Sequence, residues 1–200
     1  MADTPSRTVI ITGASRGIGA ATARAFAEAG DAVILAARTS GEIAALAEEI
    51  TAAGGTAVAQ ATDVSQWASV AALTDLAMSR FGRLDIMVNN AGVIEPIGPL
   101  ATSDPEAWGH AADINYKGTY YGIRAALPVM QAQGSGVIVN ISSGAATSAL
   151  EGWSQYCSAK AAAAMLTRCA DREAQGNVRV VGLSPGTVAT DMQVKIKASG

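Results

Sequence analysis

Stretches of strand length alternate with stretches of helical periodicity along most of this 200-residue chain. The predicted strands are residues 9–11, 33–36, 56–61, 84–88, 137–141 and 178–183, and the predicted helices are residues 18–29, 42–53, 66–81, 104–130 and 154–174. Such alternation is typical of a parallel sheet with right-handed helical crossovers. The sequence therefore predicts an α/β fold, a doubly wound sheet with helices on both faces, as a single domain over residues 1–200. No strand pattern is found in residues 191–200.

A glycine-rich turn lies between the first predicted strand and the first predicted helix. Gly13, Gly17 and Gly19 are spaced G-x-x-x-G-x-G, which differs from the G-x-G-x-x-G dinucleotide fingerprint. Glycines let backbone N–H groups approach a pyrophosphate, and the helix N-terminus adds a favourable dipole. A glycine-rich turn can be only a turn, but the strand–turn–helix context favours phosphate binding.

Tyr156 and Lys160 are four residues apart on a predicted helix and therefore share one face. A tyrosine has a pKa of about 10, and lowering it to about 7 takes about 4 kcal/mol. One cation about 4 Å away, at an effective dielectric constant of about 20, supplies roughly that much. The pair can thus act as an acid/base at neutral pH, although the same spacing also occurs on ordinary solvated helix faces.

The composition of the chain argues against several classes of binding partner and cellular location. The net charge of −3 argues against nucleic acid or an anionic membrane as a main partner. No apolar run reaches the ~20 residues of a membrane span, and residues 1–7 lack the pattern of a secretion signal.

Cys157 and Cys169 fall about 18 Å apart on one predicted helix, too far for a disulfide, so we expect reduced thiols in a cytoplasmic protein. With His110 as the single histidine, we expect no metal site.

Several motifs together resemble the short-chain dehydrogenase/reductase family, over nearly the whole chain and in the family's order. They are residues 12–19, 89–92, Asn115, 141–143 and 156–160. The resemblance implies a Rossmann-type fold, hydride transfer on an alcohol or carbonyl group, and a homodimer or homotetramer that uses the helix containing residues 161–164. Members of the family usually continue with a substrate lid and a seventh strand, so we expect both to be missing from residues 1–200.

The resemblance also predicts NADP(H) as the cofactor. Strand two ends in Ala36-Ala37-Arg38, without the acidic residue that NAD-binding members use for the ribose. Arg16 and Arg38 resemble the basic pair that holds a 2′-phosphate, although either alone could be a surface arginine. Asp63 and Val64 resemble the family's adenine-contacting pair, although Asp63 could equally cap the next helix. The other expected cofactor contacts are Gly13, Ser15, Gly17, Ile18, Gly19, Asn90, Ala91, Gly92, Tyr156, Lys160, Pro185, Gly186, Val188 and Thr190.

Four positions match the family's catalytic residues. Tyr156 would exchange a proton with the substrate oxygen, and Lys160 would lower the Tyr156 pKa and hold the nicotinamide ribose. Ser143, favoured over its neighbour Ser142 by its spacing from Tyr156, would hydrogen-bond the developing alkoxide. Asn115 would hold a water that links Lys160 to solvent.

Two functions of different class are compatible with these residues. The first is an NADP(H)-dependent carbonyl reductase or alcohol dehydrogenase, and the second is a non-catalytic NADP(H)-binding regulator on the same fold. The complete catalytic set favours the enzyme. Residues 152–193 resemble sepiapterin reductases, so we expect small dicarbonyl or α-hydroxy/keto substrates, with a pterin side chain as one candidate.

Overall fold

The computed structural model describes residues 7–198, which form one six-stranded parallel sheet in the order β3-β2-β1-β4-β5-β6. The strands are β1 Thr8–Thr12, β2 Ala32–Ala37, β3 Thr56–Ala61, β4 Ile86–Asn89, β5 Ser135–Ile141 and β6 Asn177–Leu183. The helices are α1 Gly17–Glu28, α2 Ser40–Ala52, α3 Trp67–Phe81, α4 Pro105–Ala112, α5 Gly118–Gln133, α6 Ser154–Glu173 and α7 Asp191–Ala198. The predicted doubly wound fold is confirmed.

Alternate strand residues face opposite helical layers. On one face, Val9 and Ile11 pack in a core with the buried alanines of α1 and with Ile43 of α2. On the other face, Ile10 and Met87 pack against buried residues of α3, α5 and α6. Helices thus cover both faces of the sheet, and the alanine content allows a close helix–sheet approach.

Strand order reverses between β1 and β4, which pair in the middle of the sheet. In an open α/β sheet, the loops at the carboxyl ends of the strands diverge at this point and leave a crevice for ligands. The loop after β1 carries the glycine turn, and the loop after β4 carries residues 90–92. The fold therefore brings these two motifs together.

The single long helix predicted over residues 104–130 is wrong. Asp104 does cap its start, since the carboxylate accepts a hydrogen bond from the Glu106 N–H at 3.0 Å. A π-turn, Asp113–Lys117, then separates α4 from α5, which continues to Gln133. Such wide turns are frequent at functional sites, and this one contains Asn115, whose side chain is hydrogen-bonded to Val93 and Gln155.

Residues 191–198 form α7, a helix that the sequence did not predict. Met192 and Ile196 pack against a small apolar cluster that includes Tyr156. Within residues 7–198 no helix is long and apolar enough to cross a membrane. The start of the chain, on which the argument about secretion depends, lies outside the described residues up to Ser6.

Candidate active site

Tyr156 and Lys160 lie on the first two turns of α6 and are both buried, with 7% and 5% of their surfaces exposed. The Lys160 Nζ lies 5.6 Å from the centroid of the Tyr156 ring. It also donates a hydrogen bond of 2.6 Å to the carbonyl oxygen of Ile141, the last residue of β5. Tyr156 and Lys160 are therefore buried together and do not lie on a solvated helix face.

Ser143 joins this pair from the loop after β5. Its hydroxyl is hydrogen-bonded to Tyr156, and its Oγ accepts from the Ala145 N–H at 3.2 Å at the start of a 3-10 turn. Ser142 lines a different groove, between β5, β6 and α6. The structure therefore places Ser143, and not Ser142, beside Tyr156.

The pKa of Tyr156 contradicts the expected direction. Burial raises the pKa of the phenol, the hydrogen bond from Ser143 partly opposes this, and the neighbouring Cys157 raises it further. Burial also lowers the pKa of Lys160 to about 8. The expectation that the Lys160 charge brings the Tyr156 pKa down is wrong for the protein alone, because the loss of solvation outweighs the favourable contacts.

Asn115 is fully buried in the π-turn. Its Oδ1 accepts from the Val93 N–H at 2.8 Å, and its Nδ2 donates to the Val93 carbonyl at 2.8 Å. A Cβ placed on Gly92 would lie 3.2 Å from the Asn115 Oδ1 and 4.0 Å from the Lys160 Nζ. Asn115 and Lys160 thus border the same space over Gly92, and the structure brings all four predicted catalytic residues together.

The glycine turn is held against the loop after β4. Asn90 donates through Nδ2 to the carbonyl oxygens of Thr12 and Gly13, at 2.9 and 3.2 Å. The Thr12 hydroxyl accepts from the backbone N–H groups of Asn90 and Ala91, at 3.1 Å each. Gly13 has φ +66°, and a Cβ there would lie 2.8 Å from the Ala91 Cα. Thr12 organises this junction, and sequence reasoning did not single it out.

The start of α1 has the features of an anion site. Gly17 has φ +55°, and among the described residues no side chain caps the helix N-terminus. The first N–H groups of such a helix are available to a ligand. Ser15 and Ile18 are partly buried in this turn, Gly19 is packed too closely for a Cβ, and Arg16 is exposed beside it. These residues fit the pyrophosphate of a dinucleotide.

Arg38 and Asp63 lie close enough to interact at the ends of β2 and β3. Burial raises the pKa of Asp63, but bonds from Ser65 and the charge of Arg38 outweigh this and lower it. Asp63 accepts from the Ser65 N–H and hydroxyl, at 2.9 and 2.7 Å. It thus stabilises the turn before α3 without being the helix cap, which is Gln66. Val64, buried, packs against Gly118.

The loop after β6 returns to the glycine turn. A Cβ on Gly17 would lie 3.4 Å from the Thr190 methyl group, and Arg16 forms an ion pair of 3.4 Å with Asp191. Pro185, Gly186 and Val188 are exposed between these points. Thr190 is therefore placed beside the expected phosphate site, and Asp191 is a contact that sequence reasoning missed.

Apolar side chains pack around Tyr156 in a small cluster. The Trp153 ring meets the Tyr156 ring edge-on, with centroids 6.0 Å apart. The rest of this cluster comprises Ile94, Ile97, Ala145, Cys157, Met192 and Ile196. A substrate that approaches the phenol past this cluster would meet a mainly apolar wall.

Cys157 and Cys169 are both free thiols, as predicted. His110 is exposed on α4. Within residues 7–198, no group of three or more His, Cys, Asp or Glu side chains is arranged to hold a metal ion.

Comparisons with known proteins agree with this geometry. Residues 7–199 match the family model of short chain dehydrogenases. A cis-4-hydroxycyclohexanecarboxylate dehydrogenase from Sinomonas cyclohexanicum is 40% identical over 197 residues, which cover 96% of this chain and 77% of the relative. A gluconate 5-dehydrogenase from Burkholderia cenocepacia, solved with NADP and tartrate, superposes with a TM-score of 0.90 at 33% identity, covering 96% of this chain and 75% of its own.

A metagenomic short-chain oxidoreductase, solved in complex with NADP, has a TM-score of 0.86 at 37% identity. The match covers 96% of this chain and 90% of that structure. Together with the fold and the family model, these similarities show that the chain belongs to the short chain dehydrogenase family of oxidoreductases.

Proposed function

We propose that the protein transfers hydride between NADP(H) and a small carbonyl or alcohol substrate, with Tyr156 as general acid/base. The observation that carries this proposal is the meeting of Asn115, Ser143, Tyr156 and Lys160 beside an uncapped glycine turn. A bound nicotinamide cofactor supplies the hydride chemistry, and the chain supplies orientation and proton transfer.

In the reductive direction, Tyr156 donates its proton to the substrate oxygen. Its raised pKa keeps the phenol protonated near neutral pH, which suits an acid. Ser143, already hydrogen-bonded to this phenol, is placed to donate to the same oxygen as negative charge develops there. In the oxidative direction the phenol must first lose its proton.

Lys160 connects this chemistry to the ribose and to solvent. One of its N–H groups donates to Ile141, which leaves the others for a ribose hydroxyl and for a water. The space over Gly92, between Asn115 and Lys160, suits a water that completes the proton path. Because burial lowers the Lys160 pKa to about 8, the ammonium gives up a proton more readily than an exposed lysine.

The general test is Tyr156→Phe. Turnover of NADPH with a good substrate should fall by ~10²–10⁴-fold, whereas NADPH binding followed by fluorescence should remain. Tyr120→Phe, on the exposed side of α5, is the matched control. Turnover by Tyr156→Phe at the rate of the control would contradict the assignment.

Preference for NADPH over NADH is supported by Arg16, by Arg38 and by the absence of a carboxylate at the end of β2. The NADP-bound neighbours point the same way. Arg38→Asp should shift the ratio of kcat/KM values toward NADH, because it adds a ribose partner and repels the phosphate. Arg80→Asp, at the end of α3, is the control for a surface charge reversal. Equal kcat/KM for both cofactors in the wild type would refute the preference.

The proposed substrates are small dicarbonyl or α-hydroxy/keto compounds. The apolar cluster beside Tyr156 suits a compact carbon skeleton, and one relative acts on a hydroxycyclohexane carboxylate. The resemblance of residues 152–193 to sepiapterin reductases adds a pterin side chain as a candidate. A panel of simple ketones, vicinal diketones, cyclic ketones and sepiapterin with NADPH tests this. Faster turnover of simple monoketones than of every dicarbonyl compound would reject it.

A non-catalytic NADP(H)-binding regulator is the second candidate function. It would bind NADPH but leave it unoxidised across the whole panel. A regulator has no need for a buried lysine, which destabilises the free protein, so this observation favours the enzyme.

We further infer one domain over residues 1–200 and a homodimer or homotetramer that associates through α6. Met165 projects from this helix with 53% of its surface exposed, as an interface residue would in a single subunit. Light scattering on purified protein distinguishes these assemblies from a monomer, and Met165→Glu should reduce the mass if α6 forms the contact.

A further inference from the structure

Gln155 lies directly before Tyr156 on the first turn of α6, and it is fully buried. Large polar side chains are rarely buried unless their hydrogen bonds are made. The Gln155 Oε1 accepts from the Asn115 Nδ2 at 3.0 Å. This bond joins the helix of Tyr156 and Lys160 to the π-turn of Asn115, across 40 residues of sequence.

The orientation of both amides is determined by the backbone. Val93 donates its N–H to the Asn115 Oδ1 and accepts at its carbonyl from Nδ2, so the Asn115 amide cannot be turned over without breaking both bonds. Asn115 therefore presents an N–H to α6. Gln155 must then present its oxygen, which directs its own Nε2 elsewhere.

That Nε2 is buried, and none of the described residues accepts a hydrogen bond from it. A leucine or methionine of similar size would fill the same volume without a buried donor. What the glutamine contributes over such a residue is its acceptor oxygen, and the group that uses this oxygen is Asn115.

We propose that Gln155 is a positioning residue, which sets the catalytic helix α6 against the Asn115 turn. Through Asn115 and Val93 the contact extends to the loop that carries Gly92, and so to the space between Asn115 and Lys160. Gln155 acts through these groups and does not itself touch the reacting atoms. The inference rests on the proposed role of Tyr156.

The test compares Gln155→Leu, which removes the acceptor, with Gln155→Glu, which keeps an acceptor oxygen in either protonation state. Thr167→Val is the matched control, because it breaks two buried hydrogen bonds on the same helix, to Asn140 and Ala163, away from Tyr156. The first readout needs no substrate. It is the ionisation of Tyr156, taken as tyrosinate absorbance minus that of Tyr156→Phe.

We expect Gln155→Leu to move the Tyr156 titration upward by about half a pH unit or more, as Ser143, whose contact lowers the pKa of the phenol, becomes less well aligned with it. The titratable neighbours Lys160 and Cys157 are unchanged in Gln155→Leu and Thr167→Val, whereas Gln155→Glu adds a carboxyl group and is therefore compared by kcat. NADPH-dependent reduction of diacetyl should show kcat lower by about 10-fold, with an unchanged dissociation constant for NADPH. Gln155→Glu should recover most of kcat. Thr167→Val should lower the melting temperature and leave the titration and kcat as in the wild type.

The inference is overturned if Gln155→Leu keeps the wild-type titration and kcat, whatever its melting temperature. If that variant does not fold, Gln155→Asn replaces it, since a side chain one methylene shorter withdraws the oxygen by about 1.5 Å. If diacetyl is not reduced by the wild type, the Tyr156 titration decides alone. Activity that survives Tyr156→Phe refutes the proposed function, whereas loss in Tyr156→Phe with no change in Gln155→Leu refutes only this inference.

Discussion

Replacing Lys160 with methionine should change the pH dependence of stability in a direction opposite to that of most lysines. The ammonium is buried, and burial lowers its pKa from 10.5 to about 8. Between these two values the unfolded chain binds a proton that the folded protein does not. The free energy of unfolding of the wild type must therefore rise with pH across this window.

The magnitude follows from the size of the shift. A difference of about 2.5 pKa units corresponds to about 3 kcal/mol, by which the charged lysine destabilises the fold below pH ~8. Between pH ~7 and ~9.5 the wild type should recover about 2 kcal/mol of this relative to Lys160→Met. Lys160→Met also loses the hydrogen bond to the Ile141 carbonyl, which lowers the stability of the variant by about 1 kcal/mol. Because this loss is the same at every pH, it does not change the slope of stability against pH.

Urea unfolding of both proteins at several pH values measures the difference. Tyr156, whose raised pKa lowers stability as pH rises through about 10 and above, is present in both proteins, so its contribution largely cancels. Lys197→Met, which changes an exposed lysine, should show no such slope. A difference in the free energy of unfolding between wild type and Lys160→Met that stays flat with pH would mean that folding does not shift the Lys160 pKa, and one that falls with pH would mean that a partner stabilises the ammonium. Either result would refute the reasoning.

Three further changes test other parts of the fold and site. Arg7→Met should lower the free energy of unfolding, measured in urea, by about 2 kcal/mol, because it removes a bidentate partner from the buried carboxylate of Asp31. The loss stays below the ~3–5 kcal/mol of a fully buried pair because Arg7 is half exposed. Gly122→Ala should cost roughly 1–3 kcal/mol in the same assay, since its Cβ would overlap the Asn89 amide. Asp191→Asn should tighten NADPH binding about twofold in a fluorescence titration and leave NADH unchanged, because it frees the arginine of the glycine turn. Wild-type behaviour in any of these assays would contradict the corresponding contact.

Local patterns were sufficient to predict most of the fold. β3 occupies Thr56–Ala61, as predicted, and the other strands differ from prediction by one or two residues at their ends. The break between α4 and α5 was not predictable, because residues 104–130 keep helical periodicity throughout. The π-turn depends on tertiary bonds from Asn115 to Val93 and Gln155. Helix α7 was missed for a similar reason, since its contacts to Tyr156 and Arg16 come from distant segments.

The proximity of the proposed site residues was more predictable than their electrostatics. Tyr156 and Lys160 were identified by spacing, and Ser143 by its distance from them along the chain. The direction of the Tyr156 pKa was predicted wrongly, because a pairwise charge estimate omits the desolvation of both partners. Thr12 and Gln155 were missed because they act on backbone and on another amide, and a single Thr or Gln carries no spacing signal.

The opposite pKa shifts of Tyr156 and Lys160 have one cause, and that cause connects stability with the proposed chemistry. Burial disfavours both the phenolate and the ammonium, so it raises one pKa and lowers the other. The phenol then holds its proton until a stronger base, such as the alkoxide formed in reduction, is presented to it. The lysine, with a pKa of about 8, can exchange protons with water near neutral pH and restore the one that the phenol has given up. The burial that destabilises the folded protein therefore also gives Lys160 the pKa that the proposed proton path needs. The dependence of stability on pH measures this destabilisation without any substrate.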